Sequence, residues 1–146
     1  MRLWKLQIDQ KLQNYPYQFL ATIVDHTRTV LAVAFSSNGQ ILATGSDDNT
    51  IKLWDVNTSK LISTHLAESW YLPGLAFTAD SGTLISCSWD KTIKLWYISK
   101  LLEIAPLFDH TDSVSRIALS PNSQLIASGS RDKTIKLWDN WKSGSN

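Results

Sequence analysis

The chain has 146 residues, fourteen of them basic and thirteen acidic, and its net charge of +1 gives no electrostatic reason to expect nucleic acid or an anionic membrane as a partner. No apolar run approaches the roughly 18 residues of a membrane span, and the N-terminus lacks the basic start and apolar core of a signal peptide, so retention in the cytoplasm is expected. Cys87 is the only cysteine, which excludes an intrachain disulfide, suggests no zinc cluster, and reads as a small apolar residue on an inner strand.

In chain order, Met1-Arg2-Leu3-Trp4 opens on a worn copy of an ending that returns later as Ile-Lys-Leu-Trp. The 21 residues between Trp4 and His26 exceed the 13 between Trp96 and His110 by eight, which places an insertion around residues 10–17. Asn14-Tyr15-Pro16-Tyr17 reads as a turn, since proline fixes its own φ and pushes its neighbour out of the helical region. Residues 18–24 then read as a strand. Val30-Leu31-Ala32-Val33-Ala34-Phe35 is almost wholly apolar, as expected of a strand covered on both faces. Ser36-Ser37-Asn38-Gly39 is a hairpin turn in which glycine supplies the positive φ. Strands over 41–46, 50–54 and 60–64 follow, the first two separated by an Asp47-Asp48-Asn49 turn.

The same order recurs with strands over 72–77, 83–88 and 92–96 around a turn at 78–82, and again over 114–119, 124–130 and 134–138 around a turn at 120–123. Residues 140–146 form a polar tail expected to be a frayed edge. Nothing has the 3.6-residue period of a helix of ten residues or longer, so the class is all-β.

Asp132-Lys133-Thr134-Ile135-Lys136-Leu137-Trp138-Asp139 has two earlier copies, at 48–55 and 90–97. Trp54, Trp96 and Trp138 are 42 residues apart, and so are Phe35, Phe77 and Leu119. Four short strands per unit, this period and the Trp-Asp ending resemble the WD40 repeat, whose units form the blades of a β-propeller. The resemblance covers Arg2 to Asp139 and implies four-stranded antiparallel blades, about three of them, forming a partial propeller or half of a closed ring. Its units are a stub and outer strand of a preceding blade with the insertion (1–24), three repeats (25–66, 67–108 and 109–139) and the tail (140–146).

The resemblance also implies a hydrogen-bonded set of Trp, Ser or Thr, His and Asp within each blade. The matching residues are His26, Thr44, Asp48 and Trp54 in the first repeat, and His110, Ser128, Asp132 and Trp138 in the third. Both histidines precede their tryptophan by 28 residues. The second repeat has Ser86, Asp90 and Trp96 but Glu68 at the histidine position, and His65 lies three places too early. Glu68 has no N–H to give Asp90, so the middle network is expected to be incomplete.

Asp132, His110 and Ser128 have the composition of a hydrolase triad, yet a nucleophilic serine must be exposed beside an oxyanion site, and Ser128 is expected to be occupied by Trp138. Asp47-Asp48-Asn49 lacks the further oxygen ligands of a calcium loop, and no phosphate loop or dinucleotide fingerprint is present. No enzyme and no cofactor are expected. Lys52, Lys94 and Lys136 read as solvated edge lysines, each matched by acidic residues of its own blade.

Repeats of this kind work mostly as platforms for proteins or peptides, through the face that carries the turn before the first strand and the turn between the second and third. The corresponding outward positions are Thr29, Leu31 and Asp47; Tyr71, Pro73 and Trp89; and Ser113, Ser115 and Arg131. The middle set, with Trp70 beside it and Arg131 next door, concentrates the residue types enriched at binding hot spots. Two functions follow: a non-catalytic scaffold for protein–protein interaction, or a truncated fragment of a larger WD-repeat protein whose role is to complete a propeller. The strand count, one outer strand at the start and three in the last unit, further suggests a homodimer or a pairing with another WD-repeat chain in which residues 18–24 of one copy complete the last sheet of another.

Overall fold

Short aliphatic and β-branched runs punctuated by Asn, Asp, Ser and Gly favour strands joined by tight turns. The computed structural model describes residues 2–6, 17–67, 71–99, 102–104 and 106–139, and every regular element among them is a β-strand. The expected turn at 14–16 and the tail at 140–146 lie outside the described residues.

β1 (Arg2–Leu6) and β2 (Tyr17–Thr22) form a two-stranded antiparallel sheet. β3 (Val30–Phe35), β4 (Ile41–Ser46), β5 (Thr50–Asp55) and β6 (Leu61–Leu66) follow as a four-stranded meander. The second unit repeats it with β7 (Gly74–Phe77), β8 (Thr83–Cys87) and β9 (Thr92–Tyr97). Its fourth position is split into β10 (Leu102–Glu103) and β11 (Leu107–Phe108), both paired with β9. Pro106 lies just before β11, where a residue without an N–H interrupts the ladder. Among the described residues the third unit has three strands, β12 (Val114–Leu119), β13 (Ile126–Ser130) and β14 (Ile135–Trp138).

The turn after the first strand of each unit has its left-handed residue at Gly39, Ser81 and Ser123, so in the second unit serine takes that conformation and Gly82 does not. Both serines serve the packing between units: Ser81 Oγ accepts from the Asn38 amide at 3.3 Å and Ser123 Oγ from the Ala79 amide at 2.8 Å. The strand expected over 72–77 starts only at Gly74, because Leu72 and Pro73 precede the ladder.

Alternation along each strand gives every sheet two faces. In the first unit Leu42, Thr44 and Trp54 share a leading face with Val33 and Phe35, while Ala43, Gly45, Ile51 and Leu53 share the trailing face. The trailing face packs on Leu72, Phe77, Leu84 and Trp96 of the second unit, forming one core cluster. The trailing face of the second unit, with Ile85, Cys87, Ile93 and Leu95, packs on Val114 and Ile126 of the third in the same manner. Glycine permits the close approach: a Cβ at Gly45 would lie 3.3 Å from the Leu72 Cβ.

Candidate functional site

The polar network begins from the strand register. β4 and β5 pair Leu42 with Trp54 and Thr44 with Lys52, which sets Thr44 diagonal to the Trp54 indole on one face. Trp54 Nε1–H donates to Thr44 Oγ1 at 2.9 Å, Thr44 Oγ1 lies 2.6 Å from His26 Nε2, and His26 Nδ1 lies 2.8 Å from Asp48 Oδ2. An indole only donates and a carboxylate only accepts, so the protons run in one direction, from Trp54 through Thr44 and His26 to Asp48. The third unit repeats this at 2.8 Å (Trp138 to Ser128), 2.7 Å (Ser128 to His110) and 2.7 Å (His110 to Asp132).

The aspartates are held from several sides. Burial opposes ionisation of Asp48, but hydrogen bonds from the Thr50 hydroxyl, His26 and the Thr27 amide outweigh it and carry its pKa down to about 2. An equivalent set led by the Thr134 hydroxyl holds Asp132 well below the usual carboxylate range. In the second unit Trp96 Nε1 donates to Ser86 Oγ at 2.9 Å, and Asp90 accepts from the Thr92 amide and hydroxyl. Among the described residues no imidazole joins Ser86 to Asp90; Glu68 lies outside them. His65 instead sits on the trailing face of the first unit, beside Leu84 and Trp96, where its Nε2 is buried without a partner.

Ser128 is buried and its hydroxyl already serves Trp138 and His110, so a substrate carbonyl cannot reach it. Cys87 is also buried, and desolvation pushes its thiol up to about 12, leaving little thiolate for chemistry.

The outward positions meet in pairs. Asp47 N–H donates to Thr29 O at 3.0 Å, Trp89 N–H to Tyr71 O at 3.2 Å and Arg131 N–H to Ser113 O at 2.9 Å, so each first-strand turn lies against its inner turn. Ser113 Oγ–H donates to Trp89 O at 3.2 Å and ties the second unit to the third. On this frame the Tyr71 and Trp89 rings stack with centroids 4.1 Å apart, and the Arg131 guanidinium lies 4.4 Å from the Trp89 ring centroid. Trp89 remains 39% exposed, so the stack is a surface ridge. Thr29 is exposed, while Leu31, Asp47, Ser113 and Ser115 are half-buried. Leu31 and Ser115 fall where the register of β3 and β12 shifts, a bulge that re-aims the chain at the edge of this face. Pro73 departs from the expectation: it is buried, and Arg116 of the third unit donates to its carbonyl at 3.2 Å. Trp70 lies outside the described residues.

A family model described as WD domain, G-beta repeat, matches residues 17–55, 59–97 and 102–139. The chain belongs to the WD40 repeat family. Each matched WD40 stretch opens on the fourth strand of the preceding sheet and ends after the third strand of its own. Among curated relatives, the chain is 42% identical over 60 residues to a chromatin assembly factor 1 component of Mus musculus, covering 41% of this chain and 10% of that protein. It is 37% identical over 60 residues to a ribosome biogenesis protein BOP1 homolog of Culex quinquefasciatus, covering 41% of this chain and 7% of that one. It is 59% identical over 34 residues to vegetative incompatibility protein HET-E-1 of Podospora anserina, covering 23% of this chain and 2% of that one. The matched part is thus a tenth or less of each WD40 relative's length.

Two of the three lysines of the WD40 motif are not solvated, and the third, Lys136, is half-buried. Lys52 and Lys94 are buried, because the third strand is flanked by strands on both sides. Lys52 pairs with Asp25 and Lys136 with Asp109, both one residue before the network histidine. The matching residue for Lys94 is Ala67, and that ammonium reaches Glu103 at 3.4 Å instead. Asp25 and Asp109 are 84 residues apart, twice the period, so their shared position was a signal available in the sequence.

Proposed function

We propose that this chain is a non-catalytic interaction scaffold that holds a protein or peptide on the ridge formed by Tyr71, Trp89 and Arg131. The observation that carries this reading is the stacked, partly exposed indole with a cation against its ring, in a turn where the other two units carry Asp47 and Arg131. Neither core cluster uses Trp89, so packing gives no reason for an indole there. Aromatic side chains flanked by arginine offer a partner large contact area at small entropic cost and a charge-assisted donor for a carboxylate or carbonyl.

The test is affinity capture with the intact chain and with a Tyr71→Ala/Trp89→Ala double variant. Loss of the captured partner at an unchanged melting temperature is the expected result. A drop in melting temperature that accounts for the loss would make the two rings structural and refute the reading.

A second reading is favoured by the trailing face of the third unit, where Ile135 and Leu137 are exposed among the described residues: the chain completes a propeller together with another WD-repeat chain. The two readings use different residues and are compatible in one molecule.

A further inference from the structure

The indole N–H groups of Trp54, Trp96 and Trp138 each donate to a hydroxyl inside their own sheet. Trp89 is placed differently. Its ring lies between Tyr71, with centroids 4.1 Å apart, and the Arg131 guanidinium, 4.4 Å from the Trp89 centroid. Two groups this close to one ring centre clash if they share a face, so they take opposite faces and leave the edge of the indole to solvent. Among the described residues neither the Trp89 Nε1–H nor the Arg131 guanidinium has a hydrogen-bond acceptor or a carboxylate partner. The carbonyls at the base of the ridge, Tyr71 O and Trp89 O, already accept from the Trp89 amide and the Ser113 hydroxyl. The ridge therefore presents unspent donors. A guanidinium carries five of them in a flat fork, and laying it against an indole fixes the plane of that fork before any partner arrives.

The charge along this face has a direction. Asp48, Asp90 and Asp132 are common to the three turns between second and third strands, so the turns differ in the residues on either side of the aspartate. These are Asp47 and Asn49, then Trp89 and Lys91, then Arg131 and Lys133, a progression from one negative charge to one positive and then two. Lys91, Arg131 and Lys133 are exposed, whereas Asp47 is half-buried. The second and third units thus attract an anion on the side where the ridge stands, and the first repels it. A cationic ligand is excluded, because both faces of the Trp89 ring are occupied and one of them already holds a cation. A doubly charged phosphate is disfavoured, since Asp90 and Asp112 are exposed on the same two units and oppose a second negative charge. A single carboxylate suits both the fork and the balance of charge.

We propose that the segment held on this ridge is an acidic peptide, and that the carboxylate of one of its Asp or Glu side chains takes the open edge of the Arg131 fork, with Trp89 Nε1–H as a further donor. The inference rests on the scaffold reading above and adds the chemistry of the partner. A carboxylate can accept two parallel N–H bonds from one guanidinium, which the single oxygen of an amide cannot do, and that difference sets the test.

Oriented libraries of short peptides, with one position fixed in turn as Glu, Gln, Lys or phosphoserine, are passed over the immobilised 146-residue chain. The Glu pools should bind about tenfold more tightly than the Gln pools, and the preference should shrink as salt is raised. Arg131→Gln should bring the Glu pools down to the level of the Gln pools, and Arg131→Glu should favour the Lys pools, both at the parent's melting temperature. The ratio of Glu to Gln binding by the parent needs no variant to fold. Equal binding of those two pools would overturn the proposal, as would retention of no pool at all. Strongest binding of the phosphoserine pools would overturn it by making the anion a phosphate, and a Glu preference that survives Arg131→Gln would do so by placing the carboxylate elsewhere. Glu and Gln pools held equally by the parent and released by Tyr71→Ala/Trp89→Ala would remove the carboxylate and leave the scaffold reading standing. Glu pools held by that double variant as tightly as by the parent would remove both.

Discussion

His110 joins a serine hydroxyl to a carboxylate through its two ring nitrogens, so removing it leaves two partners unsatisfied in a site closed to water. His110→Ala should therefore cost about 1 to 3 kcal/mol of stability. Glu68→Ala, at the matching place in the second unit, should cost little, since Asp90 keeps the two Thr92 bonds that its counterparts also receive from Thr50 and Thr134. Chemical denaturation of the two variants decides the matter, and a larger loss for Glu68→Ala would contradict the assignment. These roles were legible only through the resemblance to the WD40 repeat, which implies a hydroxyl, an aspartate and a histidine at the places that Ser128, Asp132 and His110 hold 10, 6 and 28 residues before Trp138. The burial of Lys52 and Lys94 was not legible, since a lysine on a strand carries no mark of whether strands flank it on both sides.

Among the strands, β6 is the one whose chemistry conflicts with its place. Its inward face sets His65 against Leu84 and Trp96 and Ser63 opposite Leu53, and neither Ser63 Oγ nor His65 Nε2 has a hydrogen-bond partner. Burial lowers the His65 pKa from 6.5, so the unfolded chain takes up a proton before the folded one does. The stability that depends on the neutral ring is thus fully present above pH about 6.5 and is lost as the pH falls through the lower folded value. His65→Leu should leave stability at pH 7 unchanged or raised, and should flatten its decline below about pH 6.5. Melting temperatures across that range that decline as steeply in the variant as in the parent would rule this out. Element positions were read correctly wherever apolar runs met turn residues, as at β3 to β5. Pro73 was misplaced because its cover comes from Arg116, 43 residues away, and local pattern says nothing about a neighbour's side chain.

For the molecule as a whole, the repeat explains both what is stable and what is unfinished. The first and second sheets each bury a trailing face on the unit that follows, so each unit is stabilised mainly by its neighbour. That the chain holds three units was readable from the 42-residue period. That Ile135 is exposed where Ile93 is buried required the packing, because the local sequence around the two is identical. The scaffold reading is tested most directly by affinity capture with the 146-residue chain beside its Tyr71→Ala/Trp89→Ala variant. It predicts capture by the parent alone at equal melting temperatures, and equal capture by both would contradict it.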